Sequence, residues 1–135
     1  MASKVLLAGS SSQAFSCSTL TAATSIYSSG NITAYSDPRL KKIISKIENP
    51  IEKLNQLNGY LYERLDLNNK KEIGLLTSDV KKVLPELVCT LKVEKTELIP
   101  DGILETLDYS KITALLVEVC KEQQKRIEEL EKKVV

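Results

Sequence analysis

Histidine is absent from all 135 residues. Without imidazole there is no Ser-His or Cys-His catalysis and no His-ligated metal site. Tryptophan is absent too, Phe15 is the single phenylalanine, and aromatic residues make up 4% of the chain. The core must therefore be aliphatic, and a chain of this length would bury only a modest one unless it oligomerised. The three cysteines, Cys17, Cys89 and Cys120, are odd in number and irregularly spaced, so they do not describe a disulfide framework. They read as small, free, buried thiols in a reducing compartment. No apolar run approaches transmembrane length, and Val5-Leu6-Leu7-Ala8 is too short for a signal-peptide core. The chain thus reads as made and used in a cytoplasm, or assembled there into a particle. Charge of one sign is also lacking: 19 basic and 18 acidic residues leave +1. Nucleic-acid binding would need a clustered basic excess, and nothing points to a metal or cofactor.

What is present falls into two parts. Residues 1–35 hold 13 Ser or Thr and one charged residue, Lys4. Short apolar pieces alternate with small polar ones, as in Ser25-Ile26-Tyr27-Ser28, and Ser29-Gly30-Asn31 is a turn signal. This segment reads as extended strands or a linker, the end of a β-rich stem that needs partner chains. At Ser36 the composition switches to Lys, Glu, Ile and Leu, which places a boundary at 35/36.

Residues 36–135 read as an α+β domain of short helices and hairpin strands. Asp37 and Pro38 form a helix start, with Leu40, Ile43, Ile44 and Ile47 following at helical spacing, although their β branching leaves a strand open. Asn49-Pro50 opens a second helix carrying Ile51, Leu54 and Leu57, and Asn58-Gly59 closes it. Tyr60 to Leu65 is a strand, Asn68 to Lys71 a polar turn, and Ile73 to Leu76 another strand. Ser78 caps a helix with Val80, Val83 and Leu84, stopped by Pro85. Leu87 to Val93 and Ile103 to Leu107 pair as a hairpin around Pro100-Asp101-Gly102. Asp108 caps a long last helix, about 109–133. In one heptad frame Thr113, Cys120, Ile127 and Val134 occupy a, with Leu116, Gln123 and Leu130 at d. This predicts a short coiled coil, against the alternative of an amphipathic helix packed on its own domain. Ile at a with Leu at d favours two strands, so the pattern by itself gives no trimer.

Ser36 and Lys41 are the candidate chemistry. A lysine serves as base to a serine only once its ammonium, which holds its proton up to about pH 10.4 when free, is neutral. Arg39 and Lys42 beside it favour the neutral form, whereas Asp37 opposes it unless turned into the helix cap. With Asp37 as N-cap, Ser36 and the fourth helical residue, Lys41, meet in staple geometry. Side chains leaning toward the helix N-terminus would aim the amine back at Ser36, and the helix N-terminus could stabilise an oxyanion.

The run Ser36-Asp37-Pro38-Arg39-Leu40-Lys41 resembles the start of the C-terminal intramolecular chaperone domain of endosialidases and phage tail spikes and fibres. Three more blocks follow in that family's order: Leu57-Asn58-Gly59-Tyr60-Leu61-Tyr62-Glu63, then Gly74 to Val80 with Val83 to Leu87, then Leu107-Asp108-Tyr109-Ser110-Lys111 leading into Ala114-Leu115-Leu116. The resemblance covers residues 36–135. It implies a homotrimer that guides folding of the stem upstream in the same chain, then cuts itself off between Tyr35 and Ser36. Ser36 would be the nucleophile and Lys41 its base in a Ser-Lys serine peptidase, acting once; Asp37, Arg39, Ser78 and Asp79 are candidates for a supporting role beside them. The resemblance also implies assembly in a host cytoplasm and delivery to a virion tail; the expectation of no nucleic-acid and no membrane partner comes from the charge balance and the short apolar runs. The sequence departs from the family at Ile43, where Asn is usual, and at Ser78, where Gln is usual. A metazoan family of membrane-tethered transcription factors carries the same domain, but no span or DNA-binding domain accompanies it here. The competing readings are a non-cleaving trimerisation module and an unrelated coiled-coil adaptor.

Overall fold

The computed structural model describes residues 18–22 and 25–135. Lys4, Val5 to Ala8, Phe15 and Cys17 lie outside the described residues, so the readings placed on them do too. Backbone contacts divide the chain into two units, Met1–Lys42 and Ile43–Val135.

Among the described residues before Ser36 there is no helix and no paired strand. The chain bends at Ser29 and Gly30, where the Ser28 hydroxyl accepts from Gly30 N–H at 3.2 Å and donates to Gly30 O at 3.0 Å. The expected helix from Pro38 shrinks to one 3₁₀ turn, Pro38–Leu40, after which residues 41–48 run without helix or strand pairing. Leu40, Ile43 and Ile44 remain exposed. A helix there would have gained no burial to offset its nucleation, and the two β-branched residues disfavour it further.

The second unit is a mixed helix–hairpin assembly. Its elements are α1 (Pro50–Asn55), β1 (Tyr60–Arg64), β2 (Lys70–Gly74), α2 (Thr77–Val83), β3 (Val88–Lys92), β4 (Ile103–Leu107) and α3 (Ile112–Val134). Pro50 occupies the first turn of α1, where its missing N–H costs nothing. The strands form two separate antiparallel hairpins, β1 with β2 and β3 with β4. Asn68 and Asn69, at φ of 51° and 58°, turn the first; asparagine tolerates this left-handed region better than most residues. Gly102, at φ 71°, serves the second, where a Cβ would stand 3.0 Å from Val93 O.

Three sequence expectations shift in register. The strand placed at Ile73 to Leu76 is Lys70–Gly74, because pairing runs back to Arg64↔Lys70. Beyond it, the Tyr109 hydroxyl accepts from Leu75 N–H at 2.9 Å and donates to Leu75 O at 3.2 Å, satisfying that backbone from outside any sheet. Ser78 is not a cap: α2 begins two residues earlier than such a cap would place it, with Leu76 in the N-cap position and no side-chain cap. Asp108 precedes a 3₁₀ turn, Tyr109–Lys111, rather than α3 itself. Its carboxylate takes Ser110 Oγ at 2.6 Å and Lys111 Nζ at 3.0 Å. Cys89 and Cys120 are free, as expected, but exposed rather than buried.

The core is aliphatic and small. Val80, Leu84, Leu87, Leu115 and Val119 are buried, ringed by half-buried residues that include Ile47, Ile51, Leu54, Leu57 and Leu107. Leu115 and Val80 are fully sealed, so α2 and the first half of α3 hold the unit together while α1 covers α3 from the side. The second hairpin is tied to α2 through Glu105, which accepts from Lys81 Nζ at 2.5 Å and Thr77 Oγ1 at 3.1 Å. Leu115→Ala should cost about 2–5 kcal/mol, a large part of the roughly 5–15 kcal/mol typical of a domain, read as a lowered denaturant midpoint. The hydrogen bonds from Lys81 and then Thr77 hold the Glu105 carboxyl below the usual range. A depressed carboxylate stabilises the fold above its unfolded value and loses that contribution as pH falls through the folded one. Thermal melts of the parent and Glu105→Gln should therefore differ near neutral pH and converge below about pH 4.

Candidate functional site

Ser36 and Lys41, five residues apart, meet: Lys41 Nζ donates to Ser36 Oγ at 2.7 Å. The turn between them explains how. Asp37 is extended (φ −61°, ψ 128°), Pro38–Leu40 make the 3₁₀ turn, and Lys41 is extended again (φ −127°, ψ 132°). Leu40 N–H donates to Asp37 O and Lys41 N–H to Pro38 O, each at 3.1 Å. Lys41 is thus the residue closing one tight turn, not the fourth residue of an α-helix, yet the amine still reaches the hydroxyl. Both residues are exposed. The same separation serves proton transfer in the other sense, with the serine O–H donating to a neutral amine.

Asp37 is the N-cap, as its position suggested. Its carboxylate accepts from Arg39 N–H at 2.8 Å and from the Arg39 guanidinium at 2.7–3.2 Å. The Arg39 side chain, and then its N–H, hold the Asp37 carboxyl below its usual range, and Asp37 raises Arg39 in return. Ser78 and Asp79 belong to the second unit. Ser78 is an exposed residue of α2, whereas Asp79 accepts the Tyr60 hydroxyl at 3.0 Å, which pushes the Tyr60 phenol up. Tyr60 was missed as that partner because the pair is separated by 19 residues and carries no local signal.

The last helix has two faces. Ile112, Leu115 and Val119 point into the core. At about 100° per residue, the stripe of Leu116, Cys120, Ile127, Leu130 and Val134 lies roughly a quarter turn away. Along it Leu116 is 42% exposed, Ile127 49%, Leu130 60% and Val134 86%. At its far end Ile127, Leu130, Glu131, Val134 and Val135 line an apolar groove. A groove against α1 is polar instead, lined by Asn49, Glu52, Asn55, Gln56, Glu122 and Arg126 with Ile51, and it offers no nucleophile.

Residues 36–89 match the family described as chaperone of endosialidase. The chain is 33% identical over 109 residues to a long tail fiber protein of Enterobacteria phage K3, covering 78% of this chain and 8% of that protein. Against the corresponding protein of Enterobacteria phage M1 the figures are 30% over 115 residues, 77% and 43%. A shorter stretch of 60 residues is 47% identical to that of Escherichia phage AR1, covering 39% of this chain and 5% of the relative. The chain therefore spans less than half the length of these curated relatives.

Because Ser36 and Lys41 touch each other in the open, neither supports the core. Ser36→Ala and Lys41→Ala should each leave the unfolding midpoint within about 0.5 kcal/mol of the parent, measured by denaturant titration, so that any lost activity in them is chemical.

Proposed function

Because residues 36–89 carry the chaperone-of-endosialidase domain and the chain is related to phage long tail fibre proteins, we propose that it is a self-releasing assembly domain. It associates as a homotrimer through α3, helps the fibre stem upstream in its own chain to fold, and then cuts the Tyr35–Ser36 bond. The supporting observation is the 2.7 Å contact between Lys41 Nζ and Ser36 Oγ, at the residue where the family match begins. Assembly takes place in the host cytoplasm, and the fibre goes on to the virion.

In the chemistry of this reading, Ser36 Oγ attacks the carbonyl carbon of Tyr35 and passes its proton to neutral Lys41. The Tyr35–Ser36 C–N bond breaks and the freed Ser36 amine takes the proton back. Tyr35 is left as an ester on Ser36 Oγ. Water hydrolyses that ester, giving a Tyr35 carboxylate and restoring the Ser36 hydroxyl. Burial disfavours an ammonium, and the pair is solvent-exposed in the single chain, so activation follows assembly and cleavage reports completed folding. The exposed stripe of α3 supports a coiled-coil seam; the count of three rests on the family likeness.

A second reading is a permanent trimerisation module without cleavage. Ile43 and Ser78, both exposed and standing where the family usually has Asn and Gln, favour it. Intact-mass measurement separates the two. The self-releasing reading requires a fragment starting at Ser36 from the parent and whole chains from Ser36→Ala and Lys41→Ala; a trimeric parent that stays whole supports the permanent module instead. Ile127→Glu with Leu130→Glu should yield single chains by native mass, keep the helical content, and stop the cut. Single chains that cut at the parental rate would refute assembly as the trigger.

A further inference from the structure

The turn that joins Ser36 to Lys41 is built around a second pair of side chains. Asp37 accepts four hydrogen bonds, all from Arg39: its N–H at 2.8 Å, Nε at 3.0 and 3.2 Å, and Nη2 at 2.7 Å. Burial does not force this arrangement, since the two side chains are 37% and 87% exposed respectively. The Pro38 ring fixes φ between them, and the planar guanidinium matches both carboxylate oxygens at once. Asp37 is the only acidic residue among residues 1–47. The charged groups of this turn are therefore Asp37, Arg39, Lys41 and Lys42.

Resting on the self-cleavage reading, we propose that Arg39 is a positioning residue for that reaction: by clamping Asp37 it withholds the turn's one carboxylate from Lys41 and keeps the amine on Ser36. A carboxylate free to swing onto Lys41 would favour its ammonium form, which cannot take the serine proton. Clamped, its charge is cancelled by the guanidinium. The same hydrogen bonds cap the 3₁₀ turn, so charge control and geometry come from one pair.

The two functions separate in the pH dependence of cleavage. Full-length chains are isolated uncut under denaturant and refolded at a series of pH values, and the cut is timed by intact mass. Arg39→Ala should raise the midpoint of the rate profile by about half a unit to one unit, which slows the reaction roughly three- to tenfold below the midpoint. Asp37→Asn keeps a capping side chain but leaves the Arg39 cation uncancelled, so its midpoint should fall. Arg39→Lys keeps the charge without the planar fork; its midpoint should stay near the parent while its plateau rate drops. A purely structural pair would lower plateaus without moving midpoints in opposite directions. If Arg39→Ala and Asp37→Asn leave the midpoint in place, or move it the same way, this inference is overturned while self-cleavage stands. If the parent stays whole, or Ser36→Ala is cut as well, the self-cleavage reading falls and takes this inference with it.

Discussion

Five aliphatic side chains must meet for the second unit to exist at all. Val80, Leu84 and Leu87 come from α2 and the turn after it, and Leu115 and Val119 from α3. No buried polar group competes with them, and no aromatic ring adds bulk to the centre. The turns and the hairpin between α2 and α3 let that meeting occur. Pro85 ends α2 and starts the turn that brings Leu87 inward. The second hairpin carries the chain from Leu87 to α3, and Asp108 N–H donates to Leu87 O at 2.9 Å, closing that excursion beside its origin. Tyr109 then fastens the start of α3 to the end of β2.

A core so small takes up only the first half of α3. Past Val119 the helix continues for four more turns' worth of chain with charged flanks and an apolar stripe, Ile127, Leu130 and Val134, that stays exposed. Intrahelical pairs such as Arg126–Glu122 support it locally, but exposed pairs of this kind contribute only a few tenths of a kcal/mol. The sequence therefore maintains a long helix whose apolar residues do not repay their exposure in a single chain. The hydroxyl–amine contact at Ser36 and Lys41 has the same character, complete in geometry yet open to solvent.

Much of this was legible in the sequence where the cause is local. Pro50 placed α1, the Asn68-Asn69 pair placed the first turn, Pro100-Asp101-Gly102 placed the second, and Asp37-Pro38 placed the cap. The aliphatic core and the long last helix also followed from composition and period. What could not be read was set by partners far along the chain. Leu75 left the strand because Tyr109, 34 residues away, takes its backbone groups. Thr77 hydrogen-bonds to Glu105 across 28 residues, and α2 starts without the serine cap that the local pattern suggested. In the stretch after Pro38 the helical spacing met burial only at Ile47, while Leu40, Ile43 and Ile44 stayed exposed, and periodicity alone does not supply burial. Ser36 and Lys41 did come together, through a shorter turn than the one imagined for them.

That turn has a further property. Each described hydrogen bond that shapes it runs between residues 36 and 41; among the described residues, none before Ser36 contributes a donor or acceptor to it. Among the described residues, these six satisfy their own turn without help from the chain that precedes them. A different segment joined ahead of Ser36 would leave these described hydrogen bonds in place, so the two sides of the junction are free to diverge at different rates.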